Sequence, residues 1–241
     1  MRFIIMHKTN AHWEAGAIPT PELIADVGAL IGDLAKADAF RGGEGLRSSA
    51  QGVRLNASGG TRTMAKGPFI GGNELPAGFT ILKVDSLDRA IEWASQQAKI
   101  LGDVELDIRP LTEPWDIGIT PKPANVTTER YMVLRKATAE TENGIPQTPR
   151  QASEMGRLVG EAESRGEHVV TVNLRPSARG RRYSNSREGI TFTDGPFAES
   201  KELIGGYVIV EAGSLEEAAR WAERYITIVD THEVDVRELA P

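Results

Sequence analysis

The chain has 241 residues, more than one typical domain of about 100 to 150, so length alone suggests two compact units. Its 28 basic and 34 acidic side chains leave a net charge of −6, which offers nucleic acid and anionic membrane no global attraction. With 40% hydrophobic and 26% charged residues the chain can build a core, and the absence of cysteine excludes disulfides, thiolate metal sites and cysteine nucleophiles. No segment approaches the roughly 20 apolar residues of a membrane span, and Met1 to Lys8 is too short for a signal peptide. A soluble protein of the reducing cytoplasm is expected.

In chain order, Arg2 to Lys8 is an apolar β-type run. A helix follows, with Thr20 as N-cap, Pro21 at its first position and Leu23, Val27, Leu30, Ile31 and Leu34 on one face. After a region of strand, Gly78 to Val84 forms a further strand and Ser86 caps a second helix. Glu105 to Arg109 then alternates strictly, with Leu106 and Ile108 facing the core. From Thr112 to Glu129 the chain reads as an extended, proline-containing linker of roughly 60 Å reach at about 3.3 Å per residue, pinned by Trp115 and Ile117.

The order then starts again. A shift of 128 positions brings Arg2 onto Arg130, Thr20-Pro21 onto Thr148-Pro149, Leu46-Arg47 onto Leu174-Arg175, Gly67-Pro68-Phe69 onto Gly195-Pro196-Phe197, and Arg109 onto Arg237. Roughly a third of the aligned pairs from 2 to 111 are identical, so the chain is a duplication. Ser214 and Glu217 predict a capping box on the last helix. Each copy, 1–111 and 130–241, therefore reads as a βαββαβ unit, an α+β ferredoxin-like sandwich with one sheet face bare. The expected solution is two such units packed sheet to sheet, an intramolecular dimeric α+β barrel, with higher oligomers open.

The string from Thr193 to Tyr207, Thr-Asp-Gly-Pro-Phe-Ala-Glu-Ser-Lys-Glu-Leu-Ile-Gly-Gly-Tyr, closely resembles the signature of the YCII-related, DGPF-type family of small bacterial proteins, and Gly43-Glu44-Gly45-Leu46 resembles the segment preceding it there. The resemblance implies a dimeric α+β barrel. For function it implies little: most relatives are uncharacterised, some resemble dehydrochlorinases or other small-molecule enzymes, and DGPF proteins are often associated with extracytoplasmic-function sigma factors. The first copy has lost the aspartate, reading Lys66-Gly-Pro-Phe69, and carries Gly71-Gly72 in place of Glu199-Ser200. The second has lost the Gly-Glu-Gly. One composite site using Glu44 and Asp194 is thus expected, with Glu199 as a ligand-binding candidate.

Asp194 is the first candidate for a general base or orienting carboxylate. Its structural alternative is turn chemistry, with the aspartate bonding backbone amides and Gly195 at positive φ. Glu105, Asp107 and Arg109, like Glu233, Asp235 and Arg237, share one sheet face. They either clamp an anionic or phenolic ligand or form an ion-pair network between the copies. His7 is a candidate proton-transfer group. His7, His12 and Glu14 lack metal-ligand spacing, and Arg41-Gly-Gly-Glu-Gly45 lacks the Gly-Lys-Ser/Thr of a nucleotide loop, so neither metal nor cofactor is expected. The arginines at 175, 179, 181, 182 and 187 read as a solvated hairpin rather than a phosphate site. Gly28, Gly32, Gly156 and Gly160 read as marks of close helix-to-sheet packing, and Trp93 and Trp221 as helix-packing residues. Two functions remain open: a small-molecule-binding protein or cofactor-free enzyme using a cleft between the copies, or a non-enzymatic partner of a regulatory protein.

Overall fold

The structure, a computed structural model, describes residues 1–70, 72–229 and 231–241. Gly71, half of the Gly71-Gly72 departure, lies outside the described residues. The first copy forms β1 (Arg2–Lys8), a single turn α1 (Ala11–Glu14), α2 (Pro21–Lys36), β2 (Phe40–Gly45), a hairpin of β3 (Val53–Ser58) and β4 (Thr61–Lys66), β5 (Pro76–Val84), α3 (Leu87–Leu101) and β6 (Val104–Pro110). The second repeats this as β7 (Glu129–Lys136), α4 (Ala139–Glu142), α5 (Pro149–Ser164), β8 (His168–Asn173), the hairpin β9 (Gly180–Ser186) and β10 (Gly189–Asp194), β11 (Ile204–Glu211), α6 (Leu215–Ile228) and β12 (Glu233–Glu238).

The helices start where their caps dictate. Thr20, Ser86, Thr148 and Ser214 each accept a hydrogen bond from the backbone amide three residues on, about 1 kcal/mol apiece. Thr148 and Gln151 complete a reciprocal capping box. The box expected at Ser214 is only half formed, because Glu217 Oε2 accepts from the Gly213 amide at 2.7 Å instead. None of the described helices is long and apolar enough to cross a membrane.

Among the described residues the strands form two six-stranded antiparallel sheets, ordered β10-β9-β12-β1-β11-β2 and β4-β3-β6-β7-β5-β8. If the hairpin is set aside, each sheet has the order fourth, first, third, second, which is that of a ferredoxin-like unit. The halves come from different copies. Strands β1 and β2 of the first copy interleave with β11 and β12 of the second, and β7 and β8 of the second interleave with β5 and β6 of the first. The compact units are accordingly Met1–Leu46 with Leu174–Pro241, and Arg47–Asn173. Sequence repeats and structural units thus do not coincide, whereas each copy, 1–111 and 130–241, was expected to build its own βαββαβ sheet. The two copies share one strand pattern, so pairing with the other copy forms the same ladders as pairing at home.

In the first unit α2 and α6 cover one sheet face, burying Phe3, Ile5, Leu30 and Leu34 with Val208, Val210, Ala222, Ile226, Val234 and Val236. In the second, α3 and α5 bury Leu82, Trp93, Leu106 and Ile108 with Tyr131, Val133, Leu158 and Ala162. Trp221 packs partly buried at the rim of the first core. The segment 112–129 joins neighbouring strands β6 and β7 within the second unit, so it is a return loop rather than a tether across a domain. Arg130 Nε bonds Glu113 at 2.7 Å and Arg47 Nε bonds Asp116 at 2.8 Å to hold it, with Trp115 and Ile117 half-buried.

The helix glycines do not serve close packing. A Cβ built on Gly28, Gly32, Gly156 or Gly160 meets nothing within 4 Å. Close approach occurs instead at Gly67 and Gly195, where a Cβ would lie 1.8 Å from the carbonyl oxygens of Ser49 and Ser177.

Candidate functional site

The acidic triplets of β6 and β12 lie in matching clusters, one per unit. In the first, Asp235 is fully buried and accepts from Lys8 Nζ at 2.8 Å and from Arg182 Nε and Nη2 at 2.6 and 3.0 Å. Half-buried Glu233 lies 3.3 Å from Arg182 and 3.8 Å from Lys8. In the second, Asp107 is equally buried and accepts from Arg54 at 2.6 and 2.9 Å and from Lys136 at 2.9 Å. Glu105 stands 3.5 Å from Arg54. Buried Glu74 takes a bidentate bond from Arg54 at 2.9 and 3.0 Å and a second bond from Lys136. Each lysine comes from the copy that does not supply the aspartate, so every cluster ties the two copies together inside one unit.

The clusters differ in how far their cations are shared. Burial alone would raise Asp235, but the Lys8 charge and the Arg182 hydrogen bonds hold it below the usual carboxylate range. Asp107 is pushed above that range, chiefly by burial, despite Arg54. Burial also raises Glu105 and Glu233. In the second unit Arg54 and Lys136 also serve Glu74, whereas the corresponding Glu202 lies 2.5 Å from Nε2 of the exposed His232.

Arg109 and Arg237 reach main-chain carbonyls. Arg109 Nη2 donates to the Arg47 carbonyl and Arg237 Nη2 to the Arg175 carbonyl, each at 2.5 Å. Those carbonyls follow the points where the chain passes from one unit to the other, so the two arginines fasten the crossovers.

The composite site is not assembled. Glu44 lies on edge strand β2 and Asp194 on the opposite edge strand β10, five strand spacings or about 24 Å apart along one sheet. Asp194 is exposed and bonds Arg181 Nε at 2.6 Å. Gly195 is not at positive φ. The Gly-Pro-Phe turn is held by serines, with the Phe69 amide donating to Ser49 Oγ at 3.0 Å and the Phe197 amide to Ser177 Oγ at 2.9 Å. Glu199 is exposed beside Lys201, and only its carbonyl reaches the cluster, accepting from Arg182. The basic hairpin is locally neutralised, with Arg179 on Glu238, Arg181 on Asp194 and Arg182 on Asp235.

His7 projects to the helix side, opposite to Glu44, because His7 pairs with Gly206 and Gly206 with Gly45. Its Nδ1 lies 2.7 Å from the Tyr225 hydroxyl, whose titration burial pushes well upward, leaving a neutral phenol. A Cβ on Gly205 or Gly206 would come within 2.7 Å of the imidazole, so those glycines make its seat.

The same positions of the second unit hold a different pair. Arg135 stands where His7 does, Gln97 where Tyr225 does, and Gly78 where Gly206 does. Together with Thr80, Gln147, Met155, Gly156, Val159, Thr171 and Asn173 they line a cleft of about 220 Å³ between the sheet and α5. Arg135 donates to Asn173 Oδ1 at 3.2 Å and faces no carboxylate among the described residues. Gln97 is 7% exposed, and its Oε1 is buried with no hydrogen-bond partner. Sequence reasoning missed this pair, and its signal is a coupled departure from the repeat at 7/135 and 97/225.

A duplicated α+β chain with two ferredoxin-ordered sheets, each burying a lysine–arginine–aspartate cluster, is thus the class that fold and site define. The chain belongs to the YCII-related family, whose domain model matches residues 1–109 and again 131–238. Neither a curated protein nor a solved structure matches it significantly.

Proposed function

We propose that the protein binds a small molecule in the cleft of the second unit. The observation that carries this reading is Gln97 Oε1, a buried acceptor left without a donor at the wall of a cleft. An unmade bond of this kind costs roughly 1 to 3 kcal/mol, and a ligand donor recovers it when the side-chain amide turns its oxygen to the cleft. Both copies line the cleft, Gln97 and Gly78 from the first and Arg135, Met155 and Asn173 from the second. Its lining holds no carboxylate, lysine or histidine, so it supplies recognition groups rather than a general acid or base. Capture and sensing are favoured over turnover.

The test is calorimetric screening of small acids, phenols and alcohols against the protein and its Gly156→Phe variant. Gly156 has open space beyond its Cα, so the phenyl ring fills the cleft without displacing the core. Ligands should bind the parent and lose at least about tenfold in affinity to the variant. Equal binding to both would place the site elsewhere. A second reading, docking of a protein partner, has Ile190 and Phe192 in its favour, exposed together on edge strand β10.

A further inference from the structure

We infer that the ligand of this cleft is a small carboxylate that also carries a hydrogen-bond donor, such as a hydroxy acid of about the size of benzoate. This rests on the reading of the cleft as a binding site and adds the chemistry of its occupant.

Three features define that chemistry. Arg135 is the cationic end. Most arginines of this chain lie within 4 Å of a carboxylate, as Arg54, Arg89, Arg130, Arg181 and Arg182 do. Arg135 touches only neutral acceptors, Asn173 Oδ1 and the Ala77 carbonyl at 3.4 Å. A half-buried guanidinium with no counter-charge is a site for an incoming carboxylate, whose two oxygens match its fork of donors. The second feature is Gln97 Oε1, an acceptor, which requires an O–H or N–H on the ligand and is satisfied neither by a bare carboxylate nor by Arg135. The third is size and wall. At about 30 Å³ per water the cleft holds about seven waters, and Met155 and Val159 give it an apolar side.

The first unit differs at the same positions. There the equivalent histidine and tyrosine bond each other, so both polar ends are already used. In the second unit their replacements leave both ends open.

Titration calorimetry with benzoate, phenol and the three hydroxybenzoate isomers tests the inference at constant ionic strength. At least one hydroxybenzoate should bind more tightly than benzoate, and phenol should bind weakest. Arg135→Gln should weaken the hydroxybenzoate on the order of tenfold or more and leave phenol unchanged. Gln97→Leu should remove the advantage of hydroxybenzoate over benzoate, a selective loss that simple loss of folding does not produce. If phenol binds as tightly as the acids, and Gly156→Phe blocks it, the cleft is a binding site and the carboxylate assignment is wrong. Binding of inorganic phosphate as tight as that of the acids likewise overturns it. If no probe binds, the assignment falls together with the reading beneath it.

Discussion

Asp107 and Asp235 occupy one position of the repeat, are equally buried and differ in the charge around them. Asp235 titrates below its ordinary value of 3.8, so it contributes stability that is fully present at neutral pH and lost as pH falls through that depressed value. Asp107 titrates above 3.8, so its ionised form opposes folding at neutral pH, and protonation relieves that as pH falls from the raised value toward 3.8. Opposite trends are therefore expected of the two asparagine variants. Asp235→Asn should lose about 3 kcal/mol near neutrality, since Lys8 and Arg182 then share the more distant Glu233 carboxylate as their ion-pair partner, and the deficit should shrink in acid. Asp107→Asn should lose less at neutrality, because Glu74 still holds both cations, and its deficit should grow in acid. Urea unfolding of both variants and the parent, from about pH 7 to about pH 3, reads this directly. Parallel profiles would show that the clusters are electrostatically alike.

Among the elements, the hairpin end at Thr193 to Phe197 shows what was legible and what was not. That this segment turns was evident from its glycine and proline, and its recurrence at 67–69 showed that the turn does not need an aspartate. Why it needs glycine was not evident, since the answer is the Ser177 carbonyl pressed against it from a segment distant in sequence. The same limit hid the lysines of the clusters. Lys8 and Lys136 each end a strand, where a lysine reads as solvated, and only their identity at the repeat spacing, shared with Arg54/Arg182 and Glu74/Glu202, marks them. Asp194→Asn should therefore alter stability by less than about 1 kcal/mol, the scale of an exposed ion pair. Gly195→Ala should be severely destabilising, because its Cβ has no room beside Ser177 and the turn must move. Thermal unfolding of the two single variants separates these cases, at about 2 to 4 °C per kcal/mol for a chain of this length. A larger loss from Asp194→Asn than from Gly195→Ala would restore the aspartate as the important member of the motif.

At the scale of the molecule, strand order was readable and strand ownership was not. Alternation, caps and the repeat all point to a ferredoxin-like order, and each is the same whether β1 pairs with its own copy or with the other, so no local pattern distinguishes the two. The exchange has a mechanical consequence. Every ladder among the four ferredoxin-ordered strands of either sheet, β12-β1-β11-β2 and β6-β7-β5-β8, joins one copy to the other, and the crossovers lie after Leu46 and Asn173, outside the segment between the copies. That loop connects neighbouring strands and is exposed from Gly118 to Asn125, so cutting it removes no ladder and no part of either core. A protease site inserted after Thr120 and cleaved in the folded protein should leave the two fragments in a one-to-one complex through size exclusion in native buffer. They should part only in denaturant, with a midpoint that falls as the fragments are diluted, because cutting turns unfolding into the dissociation of two chains. Two copies each folded on itself would lack these shared ladders. Fragments that separate in native buffer into folded monomers, each with the circular dichroism of an intact sheet, would show that the halves are not exchanged.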